Sequence, residues 1–144
     1  MNAVVSARPW HLLPVALCLV LWHGVLALDY VNARFDLYPE FPGLMAGLPL
    51  TALWLKVVWG MAVWLGLLGA VFLVWGDDAA VLLLFAAAVA MLAAMIGLGP
   101  LEAPAALSGV AATAPWPLAP AALVAVPLLG WIYARGLKRR GRLH

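Results

Sequence analysis

The sequence predicts an all-α integral membrane protein, a bundle of four transmembrane helices with the amino and carboxy termini in the cytoplasm. Of its 144 residues, 67% are hydrophobic and 10% are charged, whereas ordinary soluble domains have about 45–50% and about 25%. A soluble fold of this length cannot hide so much apolar surface, because small domains bury only about two-thirds of what their chain exposes. Lipid is therefore the expected solvent, and the length suits a single domain over residues 1–144.

Four apolar stretches are long enough to cross a bilayer, which takes about 20 helical residues with a range of about 17–25. We predict spans at 12–28, 50–75, 79–99 and 116–134. Within these spans Lys56 is the one charged residue. The fourth span contains Pro127, which we expect to kink the helix without ending it.

The basic residues predict the orientation of the bundle. Positive charge beside a span favours the cytoplasmic side of the membrane, and Arg8 lies before the first span. A basic tail after a hydrophobic helix also contacts anionic lipid headgroups, which we favour over binding of nucleic acid. The acidic pair Asp77-Asp78 between the second and third spans is expected to cap the helix that follows it. The basic residues of the tail are Arg135, Lys138, Arg139, Arg140 and Arg142.

The first span has an alternative interpretation as a secretory signal peptide. Arg8 precedes it, and Val25-Leu26-Ala27 offers small residues for cleavage. However, Pro14 and Trp22 interrupt the apolar run, which is also longer than a usual signal core of about 7–15 residues. We expect the span to remain in the protein, and the alternative is a three-span protein with an external amino terminus.

Three polar residues in or beside the spans are candidates for a site. Lys56 lies within the second span, and an ionised group costs about 2.5–3.5 kcal/mol at the bilayer centre and less near an end. Its ammonium either snorkels to the headgroups or pairs with Asp29, placed at the outer end of the first span. His23 is either a neutral histidine that is hydrogen-bonded to a neighbouring helix or part of a proton relay towards Asp29.

Small residues recur on one face of the second span and of the third. Such stripes let helix backbones approach and gain dispersion contact, which is how helices associate in lipid. They predict tight packing between the second and third spans, or a homo-oligomer. The residues are Ala62, Gly66, Gly69 and Ala70 in the second span and Ala86, Ala90 and Ala94 in the third.

Several short motifs in residues 8–75 come in a recognisable order: Arg8-Pro9-Trp10-His11, Trp22 with Gly24, Asp29-Tyr30, and the run from Met61 to Ala70. They resemble a family of small bacterial four-helix membrane proteins that is often labelled "sugar transporter". This resemblance implies a location in the bacterial plasma membrane. Three features depart from the family's pattern. Its members tend to have asparagine in place of His23 and basic residues in place of Asp77-Asp78, and the third span here lacks the polar and aromatic residues expected at its outer end.

The sequence shows no phosphate-binding loop, dinucleotide motif, metal-ligand spacing or paired carboxylates within a span. We therefore expect no enzyme and no cofactor. Transport of a small solute such as a sugar is placed first among the functions, and the alternative is an accessory or assembly subunit of a larger membrane complex. A lipid-interacting role is the third class. The expected partners are membrane lipids, further copies of the chain or subunits of a complex, and no nucleic acid.

Overall fold

A computed structural model of the protein describes residues 9–40, 50, 52–98 and 118–144. These residues form four α-helices and no strand. The helices are α1 (Leu12–Phe35), α2 (Leu53–Trp75), α3 (Ala79–Leu98) and α4 (Leu118–Arg139). All four are long and apolar enough to cross a membrane, which confirms the predicted all-helical, four-span fold. The predicted span limits at 99 and 116, and Arg8, lie outside the described residues.

Helix α1 continues past the predicted limit of the first span at residue 28. It ends at Asp36, which adopts φ 51° and whose amide donates to the carbonyl of Asn32 over 2.8 Å. The Asn32 side chain in turn accepts a hydrogen bond of 2.7 Å from the Tyr38 amide. A charged residue such as Asp29 ends an apolar run but does not interrupt the helical backbone hydrogen bonds, so the helix continues beyond the hydrophobic stretch. At 24 residues, α1 is about 36 Å long, which exceeds a hydrocarbon core of about 30 Å.

Helices α2 and α4 also have limits that differ from the predicted spans. Helix α2 begins at Leu53 rather than at residue 50, after an extended Ala52. Helix α4 runs unbroken through Pro127, as expected, and continues to Arg139. Arg135 and Lys138 therefore project from a helix rather than from a tail that follows it.

The turn between α2 and α3 is built by two neighbouring residues. Gly76 adopts φ 77°, a conformation that suits glycine, and its amide donates to the carbonyl of Leu73 over 3.0 Å. The carboxylate of Asp77 then accepts a hydrogen bond of 2.8 Å from the amide of Ala79. This is the helix cap predicted for the acidic pair.

The carboxy-terminal residues fold back onto this turn. The Lys138 ammonium lies 2.7 Å from the Asp78 carboxylate, and both side chains are about half exposed. The amide of His144 donates to the Gly76 carbonyl, the Asp78 amide donates to the His144 carbonyl, and Leu143 is buried. The carboxy-terminal residues are thus held against the α2–α3 turn by backbone hydrogen bonds and one ion pair.

The helices are arranged so that α2 and α3 form the most extensive interface, α1 packs on α2, and α4 packs on α3. Helices α1 and α4 approach each other much less closely. Two apolar clusters fill the two halves of the bundle, one around Trp59 and Met91 and the other around Leu73 and Leu84.

The small residues of α2 lie at these interfaces. A Cβ added to Gly69 lies 2.9 Å from the Leu84 side chain and 3.0 Å from its backbone nitrogen, so glycine is what allows α3 to come so near. Ala62 and Ala70 are fully buried. On α3, Ala90 and Ala94 are buried as the predicted stripe requires, but Ala86 is only half-buried. The adjacent Ala87 and Ala88 are buried in its place, because the contact face of α3 is rotated from the predicted stripe.

Candidate functional site between helices α1 and α4

His23 lies at the middle of the bundle. It is halfway along α1, and its side chain is completely buried. The imidazole packs over Gly66 of α2, where an added Cβ lies 2.3 Å from two ring atoms. The ring therefore occupies the space that any larger residue at this position needs, and the Gly66 of the predicted stripe accommodates His23 rather than α3.

The buried ring nitrogens of His23 have no hydrogen-bond partner among the described residues, and the same is true of the Trp22 indole nitrogen. A neutral imidazole carries one donor and one acceptor, and the indole N–H is a donor. Each buried polar group left unsatisfied costs about 1–3 kcal/mol. The structure brings the predicted histidine into the core without supplying the expected bond to a neighbouring helix from the described part of the chain.

A third polar group lies at the same depth. Leu19 of α1 contacts the position of Gly130 on the antiparallel α4, so His23, one turn further along α1, is level with Val126. The adjacent Pro127 has no amide hydrogen, which leaves the carbonyl of Leu123 without its helical donor. The mid-depth layer thus combines aromatic nitrogens of α1 with a backbone acceptor on α4.

An apolar groove of about 550 Å³ separates α1 from α4. It opens towards the side of the bundle, where Cys18 and Leu129 are exposed. Hydrocarbon side chains dominate its walls, and the polar groups among the lining residues belong to Cys18, Trp22 and Tyr133. The groove is lined by Pro14, Val15, Cys18, Leu19, Trp22, Val126, Leu129, Gly130 and Tyr133.

The end of the groove nearer the chain termini is polar. The hydroxyl of Tyr133 and Nδ1 of His11 are hydrogen-bonded, and this bond links α4 to the start of α1. The ring of Trp10 contacts His11 edge-on at 5.8 Å between ring centroids. The groove is therefore an asymmetric slot, with hydrogen-bonding groups at one end and apolar walls along its length.

The other predicted polar residues lie away from this groove. Lys56 is exposed within the first turn of α2, where its stem can follow the helix to the headgroups. Asp29 is half-buried and lies more than one turn inside α1 because that helix continues to Phe35. An ion pair between Lys56 and Asp29 stays a prediction.

The basic residues near the end of α4 lie in different surroundings. Lys138 pairs with Asp78, and the Arg135 guanidinium lies 5.2 Å from the centre of the Trp131 ring. Arg139 and Arg140 are exposed. Their contact with lipid headgroups stays a prediction, as it does for Arg142.

Sequence reasoning did not find the groove or the bond between His11 and Tyr133. Both depend on how far α4 stands from α1, which no motif encodes. The sequence signal for this bond was weak, because it consisted of one aromatic ring with a polar group near an end of each helix, His11 at the start of α1 and Tyr133 near the end of α4. Comparison of the chain with protein-family models, curated proteins and solved structures finds no match. Function must therefore be inferred from the geometry of this chain.

Proposed function

We propose that this protein binds a membrane phospholipid and holds one of its acyl chains in the groove between α1 and α4. The observation that carries this proposal is the apolar slot open to the side of the bundle, where lipid hydrocarbon surrounds a transmembrane helix. A polar solute such as a sugar requires hydrogen-bonding groups along its site, and the walls of this groove offer few. An alkyl chain requires none.

The dimensions of the groove suit such a ligand. Its volume of about 550 Å³ falls within the range of about 300–1,000 Å³ found for ligand sites. The lining residues of α1 extend from Pro14 to Trp22, which corresponds to about 12 Å along a helix. A chain that leaves the bilayer for the groove gains little from the hydrophobic effect, because it moves from one hydrocarbon environment to another. Its retention depends on close packing in the slot.

The test is photo-cross-linking in nanodiscs with a phospholipid that carries a diazirine in its acyl chain. We expect cross-links to Cys18, Trp22 and Leu129 that an excess of unlabelled lipid reduces in a saturable way. Cross-links to the outer face of α1, at the exposed Leu17, should fall only in proportion to dilution, because that face contacts bulk lipid. Equal behaviour of the two faces would rule out a groove site.

A matched pair of variants connects the signal to the groove. Cys18→Phe fills the slot from an exposed position, and Leu17→Phe adds a ring at nearly the same depth, about 100° around α1 and outside the groove. We expect Cys18→Phe to abolish the saturable cross-links and Leu17→Phe to leave them unchanged. Recovery of a second protein in place of lipid, seen by native mass spectrometry, would instead support the accessory-subunit alternative.

Transport of a small solute is the second candidate, favoured by the buried His23 nitrogens, which have no hydrogen-bond partner among the described residues. Polar residues at mid-depth are costly in a membrane and often mark a solute or proton path. This function predicts that His23→Leu, Lys56→Ala and Asp29→Ala lower solute uptake into proteoliposomes while the protein still folds. Unchanged uptake in all three variants would leave lipid binding as the better explanation.

A further inference from the structure

The polar end of the groove lies at the most basic part of the chain. Tyr133 lines the groove, and Arg140 follows it by two helical turns, which places the two residues on nearly the same side of α4. The amide of Arg140 bonds to the carbonyl of Leu137 over 3.1 Å, so the backbone keeps a helical path to this position. Arg140 thus extends the line of groove residues beyond the apolar slot.

The neighbouring charges have different positions. Lys138 is directed to the α2–α3 turn by its ion pair with Asp78, and Arg135 lies over Trp131. Asp77 and Asp78 belong to that same turn, and Arg140 is about 200° around the helix from Lys138, the residue that faces it. The groove side of this end therefore carries Arg140 and the bonded pair of His11 and Tyr133, away from the acidic side chains of the turn.

We propose that this end of the groove is a headgroup site that selects an anionic phospholipid over a zwitterionic one. The inference rests on the proposed function, because it assumes an acyl chain in the slot. A phosphate near Arg140 gains a charge-assisted contact, and the Tyr133 hydroxyl adds a hydrogen-bonding group at the polar end of the groove. An anionic headgroup lacks the positive choline or ethanolamine group that Arg140 repels. In this proposal, packing in the slot retains the acyl chain, and the charge of Arg140 selects the anionic lipid.

The test is competition between two unlabelled lipids with identical acyl chains, phosphatidylglycerol and phosphatidylcholine, against the diazirine lipid in the groove. We expect phosphatidylglycerol to compete at a severalfold lower concentration. Arg140→Gln should remove most of that preference, because it removes the charge-assisted contact with the headgroup. Arg139→Gln is the matched control, since it removes the same charge from the adjacent exposed position and should keep the preference.

The outcomes separate this inference from the proposed function. Equal competition by both lipids in the unaltered protein would overturn the anionic preference and leave acyl-chain binding intact. The same loss in Arg139→Gln as in Arg140→Gln would also overturn the site, because general surface charge would then explain the preference. A complete absence of saturable cross-links would contradict the proposed function itself.

Discussion

On one face, α1 packs so closely against α2 that the His23 ring fills the space of a Gly66 side chain; on another, α1 and α4 leave a groove of about 550 Å³. Both interfaces involve α1, and the same lipid surrounds them. In lipid no hydrophobic force pulls helices together, so an interface closes only where shapes match. A large residue meets a small one between α1 and α2, whereas Trp22 of α1 and Leu129 of α4 line an open groove.

The largest loss of stability is expected when one methyl group is added to the closed interface between α1 and α2. Gly66→Ala places a Cβ 2.3 Å from the His23 ring, and the rearrangement should cost about 1–3 kcal/mol of unfolding free energy. The measurement is SDS-induced unfolding followed by circular dichroism. Gly24→Ala is the control, since its added Cβ meets no described atom within 4 Å beyond its chain neighbours and the backbone of its own helix, and it should be neutral or stabilising.

The same contact can be tested from the other side by a double variant. If the His23 ring is what Gly66 accommodates, Gly66→Ala should cost much less in a His23→Ala background than alone. An equal cost in both backgrounds would show that Gly66 is required by another neighbour.

A smaller effect is expected from removal of the polar groups at the closed interface. His23→Leu replaces a buried imidazole whose nitrogens have no partner among the described residues by an apolar side chain. Stability in the same SDS titration should rise by about 1 kcal/mol. A loss of stability would mean that His23 gains a hydrogen bond from lipid, water or a partner in the membrane.

The smallest effect is expected at the contact between the end of α4 and the α2–α3 turn. Asp78→Asn removes the ion pair with Lys138, and since both side chains are about half exposed the cost should be about 0–1 kcal/mol. Lys138→Gln should give the same loss, and the double variant no more than either. Spin labels at Cys18 and at a Leu129→Cys position should report the same groove width in all these variants. A narrowed or widened groove would show that the carboxy-terminal contacts set the separation of α1 and α4.

Much of the architecture follows from the sequence, because hydrophobic length alone identifies a helix that can cross a membrane. The starts of α1 and α3, the continuity of α4 through Pro127 and the cap at Asp77 were all predicted. The far end of α1 was not, because the charge of Asp29 ends an apolar run but does not end a helix. Helix ends depend on backbone capping, here by the left-handed Asp36.

The site was predictable only in its parts. The sequence by itself determined that His23 is a polar residue within the first span and that Gly66 belongs to a stripe of small residues in the second. Only the tertiary structure decided that they meet, that Tyr133 bonds to His11, and that a groove separates α1 from α4. The physical reason is that the hydrophobic pattern places each helix in the bilayer independently, whereas the rotation and spacing of neighbouring helices come from side-chain shapes on both partners at once.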